Sequence, residues 1–126
     1  MYQVVFYEDE HGVSELWDTM LQLQRKASNN KDARIQHKQI SLYIQLLEDY
    51  GTNLGDNVVK HLEQDIWELR PGNNRILFFF YKDNMYVLLH MFRKKTQKTP
   101  RREIEKAERE RDDWKFRKGW NDENMV

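Results

Sequence analysis

The sequence predicts an α+β fold: an N-terminal strand, a helical hairpin, an antiparallel β-meander packed against helices, and a C-terminal helix. Three observations point to it. Between residues 16 and 50 the apolar side chains recur three and four positions apart, the period of an amphipathic helix. Between residues 66 and 93 they form short β-prone runs broken by PGNN and KDN, two turn signals. Pro100 then stops the last run, and Ile104, Ala107, Arg111 and Trp114 beyond it fall on one helical face.

In chain order, Tyr2, Val4 and Phe6 alternate with Gln3, Val5 and Tyr7, which makes a short strand apolar on both sides. His11 and Gly12 punctuate it, and Ser14 is placed as the N-cap of a helix whose face carries Leu16, Trp17, Met20, Leu21 and Gln24. The stretch SNNKD closes that helix and opens a second. There Ile35, Gln39, Leu42, Tyr43, Leu46, Leu47 and Tyr50 form the stripe and Gly51 sits at the C-terminal cap. So short a loop makes the two helices antiparallel. After the turn-rich GTNLGDN, Val58 and Val59 lead through KHLEQ into a three-stranded meander over 66–70, 75–81 and 86–93. Alternation puts Ile66, Glu68 and Arg70 on one face, and Leu88, His90, Phe92 and Lys94 on one face of the last strand. A single domain is expected over residues 1–118, with a polar, frayed tail over 119–126.

Composition excludes several chemistries. The chain has no cysteine, which removes disulfides, thiolate nucleophiles and cysteine-bound metals. His11, His37, His61 and His90 lack paired ligand spacing, so neither a metal nor another cofactor is expected. There is no glycine-rich phosphate loop and no nucleophile elbow. No apolar run reaches membrane-spanning length and no leader pattern opens the chain, so a soluble cytoplasmic protein without a membrane partner is expected.

Twenty-one basic and twenty-one acidic residues give a net charge of zero, but they are unevenly placed. Glu8, Asp9, Glu10, Glu15 and Asp18 outnumber Arg25 and Lys26 in the first 30 residues, whereas Arg93, Lys94, Lys95, Lys98, Arg101 and Arg102 follow one another with no acid among them. Screening limits the reach of a charge to about 8 Å at physiological salt, so the local cluster and not the total sets the field. Arg70 and Arg75 flank the PGNN turn, where a hairpin brings them together. These cations are equally the material of surface ion pairs. For Lys94 and Lys95, however, no acid lies within the run to neutralise them. His90 in an apolar strand reads as a hydrogen-bonded core histidine, and Lys60 and His61 either reach toward a ligand or face water.

The segments IWELRPGNNRILFFFY and LLHMFRKKTQKTPRREIEKA, with the element order, resemble the RelE superfamily of toxins, and within it the HigB-like, phage-protein-like branch. The likeness extends to about residue 115. It implies a small RelE-like fold and the toxin of a type II toxin–antitoxin system, a metal-independent, ribosome-dependent endoribonuclease that cleaves mRNA and inhibits translation. A cognate HigA-like helix-turn-helix antitoxin would neutralise it, and operator DNA would be met only through that complex. Matched onto this sequence, the motif positions are Arg70, Arg75, Lys94 and Lys95, which the resemblance implies are catalytic, with His90 and Phe92 in the strand that supports them; the basic end is expected to hold RNA, with Lys60, His90, Arg93 and Lys98 as the contacts. Relatives use a late tyrosine or histidine for proton transfer. No tyrosine follows Tyr86 here, which leaves Lys94, Lys95 or Glu68 for that step. A non-catalytic nucleic-acid-binding or regulatory partner module of the same fold is the alternative. It would need exposed stacking aromatics, and the aromatics here sit in runs that read as core.

Overall fold

The computed structural model describes residues 1–119. Its elements are β1 (Gln3–Phe6), α1 (Glu15–Lys26), α2 (Lys31–Tyr50), β2 (Val59–Glu63), β3 (Ile66–Leu69), β4 (Asn74–Phe80), β5 (Met85–Arg93) and α3 (Arg101–Trp114), followed by a π-helical turn over Lys115–Gly119. Local chemistry sets the helix starts. The Ser14 side chain accepts from the Trp17 amide at 3.1 Å, and Asn30 from the Ala33 amide at 3.0 Å. α2 ends at Gly51, whose φ of +64° is left-handed; a Cβ there would stand 2.8 Å from the Tyr2 ring, so glycine is required twice over.

The strands form one mixed sheet in the order β1-β5-β4-β3-β2, with β1 parallel to β5 and every other pair antiparallel. Both faces are covered. On one, Leu16, Ile40 and Leu47 of the helical hairpin meet Leu69, Ile76, Phe78 and Leu88. On the other, Ala107 and Trp114 of α3 meet Ile66, Leu77, Phe79, Val87 and Leu89. A sheet buried twice explains why β4 and β5 read as unbroken apolar runs and not as alternating ones. No helix among the described residues is long and apolar enough to cross a membrane.

Four sequence expectations change. KHLEQ is not a connector: β2 pairs with β3 through a turn in which Gln64 takes a φ of 50°. The second helix presents a different stripe, with Ala33, Ile40 and Leu47 buried, whereas Ile35, Leu42 and Tyr50 are exposed. Trp17 is likewise exposed on α1, where Leu16 is buried. Finally, the β4–β5 register slips: Phe78 pairs with Leu88 but Leu77 with His90, leaving Leu89 as an extra residue. The bulge keeps Leu89 and His90 on the α3 side, so Leu88 lies on the opposite face from His90 and Phe92. The polar tail expected from residue 119 lies, past Gly119, outside the described residues.

Candidate functional site

Glu68 sits mid-strand on the face of β3 toward α3, and Lys60 is its partner across β2. Arg70 follows two residues later on the same side. Arg75 alternates with Leu77 and Phe79 on β4, which brings it to that side as well. The Pro71–Asn74 turn, closed by the Asn74 amide on the Pro71 carbonyl at 3.0 Å, places both arginines at one end of the sheet.

They meet on a single carboxylate. Glu68 is 1% exposed; its Oε1 lies 3.3 Å from Arg70 Nε and 3.8 Å from Arg75 Nε. Its Oε2 accepts from the Thr99 hydroxyl at 2.5 Å. Arg70 Nη1 donates to the Asp56 carbonyl at 2.9 Å, and Arg75 Nη1 to the carbonyls of Gly72 and Asn74 at 2.8 and 2.9 Å. Burial and the adjacent Arg70 guanidinium lower the Arg75 pKa, the Glu68 carboxylate opposing them. Two guanidinium groups around one carboxylate leave a net positive charge in a partly desolvated place, which is what an anionic oxygen needs from a site.

A cleft of about 510 Å³ opens beside this cluster. Lys60, Glu63, Glu68 and Arg70 line its sheet side, and Lys98, Thr99 and Arg101 its other wall. The two walls are strapped by a two-pronged ion pair, Arg101 Nη1 and Nη2 on the Glu63 carboxylate at 2.6 and 2.7 Å, and those hydrogen bonds lower the Glu63 pKa. Among the described residues, Lys60, Lys94, Lys95 and Lys98 have no carboxylate within ion-pair distance.

The match to known families fits this geometry. The family model described as phage derived protein Gp49-like (DUF891) matches residues 26–112, more than half of the chain. The chain belongs to the Gp49-like family. No curated protein matches it. The Gp49-like family is a toxin-like, phage-derived family within the RelE/Gp49 toxins. The matched stretch of this Gp49-like chain runs from the end of α1 to near the end of α3, and so contains every residue of the cleft.

Other cations of the Gp49-like chain fall elsewhere. Arg93 turns to the helical hairpin, where its Nη1 donates to Gln36 Oε1 at 3.1 Å and Asn74 Oδ1 at 3.3 Å, away from the cleft. Lys94 extends the β5 ladder through its amide to the Asn73 carbonyl, and alternation returns it to the side of Phe92 and Arg75. Lys95 is exposed. His90 was expected among the RNA contacts, but at 1% exposure no RNA reaches it. Its Nδ1 lies 2.5 Å from Glu110 Oε1 and its Nε2 3.0 Å from Glu103 Oε1, so it ties α3 to the sheet. His61 borders the cleft, yet its ring lies against Trp67 at 5.0 Å and its Nε2 is held by the Gln64 carbonyl at 2.5 Å. Sequence reading passed over Thr99 and the Glu63–Arg101 strap. The signal for Thr99 is its place before Pro100, where a restricted, extended backbone holds the hydroxyl in one direction.

Proposed function

We propose that this Gp49-like protein is a HigB-like toxin of a type II toxin–antitoxin system, an endoribonuclease that cuts mRNA on the ribosome without a metal. The observation that carries the reading is the pair Arg70 and Arg75 sharing the buried Glu68 beside a cleft whose walls carry the unneutralised Lys60 and Lys98. In the proposed reaction the ribose 2′-oxygen attacks the adjacent phosphorus, and the bond from phosphorus to the 5′-oxygen breaks. One proton leaves the 2′-hydroxyl and one reaches the departing 5′-oxygen, giving a 2′,3′-cyclic phosphate. Arg70 and Arg75 stabilise the charge on the phosphorane oxygens. Lys94 and Lys95 serve proton transfer, and Lys60 and Lys98 hold the RNA backbone.

A cognate HigA-like helix-turn-helix antitoxin restrains the activity and carries the pair to operator DNA; the toxin acts in the cytoplasm as one domain over residues 1–118. Phe78 and Phe79 are completely buried and offer no stacking face to a single strand. The test is cleavage of a message on programmed ribosomes, with the ends analysed for cyclic phosphate. Arg70→Ala should lose about 10²–10³ in rate, the usual effect of removing a charge-stabilising donor. An intact message with the wild-type protein, or equal cleavage by Arg70→Ala, overturns the reading and returns the chain to a binding role.

A further inference from the structure

We propose that Thr99 is a positioning residue, a latch whose hydroxyl holds the lysine-bearing loop over residues 94–99 in register with the Arg70/Arg75 pair; this rests on the nuclease reading above. Glu68 is almost wholly out of water, so each of its oxygens must find a donor inside the protein. Oε2 takes the Thr99 hydroxyl at 2.5 Å, whereas Oε1 faces the two guanidinium groups at ion-pair distance, 3.3 and 3.8 Å, so Thr99 is the one hydrogen-bond donor seen on this carboxylate among the described residues. Although it borders the cleft, Glu68 is 1% exposed and its carboxylate is turned to Thr99 and the two arginines. Its work is to orient.

The other end of the bond is the informative one. The Lys94 amide still pairs with the Asn73 carbonyl, and the Glu103 amide already bonds the Pro100 carbonyl inside α3. Among the described residues, the Thr99 hydroxyl makes the one hydrogen bond that joins residues 95–99 to the sheet; the Thr96 hydroxyl only turns back to the Lys98 carbonyl. Pro100, with φ −59°, fixes the chain on the far side. Between the Lys94 amide on one side and the Arg101–Glu63 strap on the other, the Thr99 side chain therefore sets how far Lys95 and Lys98 stand from the guanidinium groups. A phosphate gripped by both depends on that spacing.

The experiment measures kcat and KM for cleavage on programmed ribosomes with full-length wild type, Thr99→Val, Thr99→Ser and Glu68→Gln, each checked for folding by circular dichroism. Thr99→Val keeps the shape and loses the donor. A misplaced grip should lower its kcat about tenfold or more, with KM changing less. Thr99→Ser restores the hydroxyl and should return the rate to within about twofold of wild type. In the Glu68→Gln background, adding Thr99→Val should lower the rate less than about twofold further, because the two act as one unit. Wild-type rates in Thr99→Val, or a Thr99→Ser as impaired as Thr99→Val, or fully multiplying losses in the double variant, each overturn the latch. A wild-type protein that cleaves nothing fails the nuclease reading itself and removes the latch's catalytic role with it.

Discussion

Replacing His90 by leucine should loosen α3 from the sheet. Glu103 and Glu110 are seven residues apart, two turns along one face of α3, and the imidazole lies between them, with 2.5 Å to the one carboxylate and 3.0 Å to the other. Each ring nitrogen faces a carboxylate oxygen, so the imidazole bridges two points of α3 at once. Hydrogen bonds to charged groups contribute about 1.5–3 kcal/mol each, which sets a ceiling near ~6 kcal/mol for the pair. Two effects reduce it. The Glu103 and Glu110 side chains are 17% and 13% exposed, enough to turn partly into water, and leucine gains some apolar burial. A net loss of about 2–4 kcal/mol remains, close to what breaking a buried ion pair from one side usually costs. Urea unfolding followed by tryptophan fluorescence measures it, with Trp114 on α3 as a reporter. At a slope of about 2 kcal/mol per molar, the midpoint falls by about 1–2 M. Exchange of α3 amides should accelerate as well. A midpoint within about 0.3 M of wild type would refute the tether, as would a loss that persists unchanged when Glu103 and Glu110 are both made glutamine.

Two further outcomes are expected. Hydrogen bonds from Arg117 and from the Tyr7 hydroxyl hold the Asp113 carboxyl below the usual value of 3.8, so its stabilisation is fully present above that value and disappears as pH falls through the lowered one. Urea midpoints measured at falling pH should therefore show wild type and Asp113→Asn converging in acid, and a gap that stays constant would contradict the assignment. Lys98→Ala should weaken RNA binding at low salt and reduce the slope of log affinity against log salt by about 0.7, the single-strand value for one phosphate contact, in filter binding across a salt series; an unchanged slope places Lys98 off the RNA path.

What the sequence disclosed depends on the range of the interaction. PGNN and KDN are local signals, and they locate β3, β4 and β5 closely; the same turn brings Arg70 and Arg75 to one end of the sheet. KHLEQ mixes charge with apolar residues and gives no clean alternation, so β2 was not legible as a strand. The bulge at Leu89 leaves no trace in a run apolar on both sides, and the facing of Leu88 relative to His90 was misread for that reason. On α2 the largest apolar residues drew the stripe toward Ile35, Leu42 and Tyr50, but the buried line runs through the small Ala33 with Ile40 and Leu47. In the site, alternation already sends Arg93 and Lys94 to opposite faces, but the partners of Arg93 are not local. Gln36 and Asn74, which hold the Arg93 guanidinium at the helical hairpin, are distant in sequence. The partners of Glu63 and Glu68 on the opposite cleft wall, 38 and 31 residues away, were equally beyond a local reading.

The parallel pairing of β1 with β5 has a temporal meaning. Gln3 is synthesised well before its partner in the sheet, Met85, and the Tyr7 hydroxyl waits for Asp113, later still. Contacts so far apart along the chain close slowly and late. A nascent chain therefore carries Arg70 and Arg75 before it carries Lys98, Thr99 and Arg101, the wall that faces them, and no complete cleft exists until that later segment has been made.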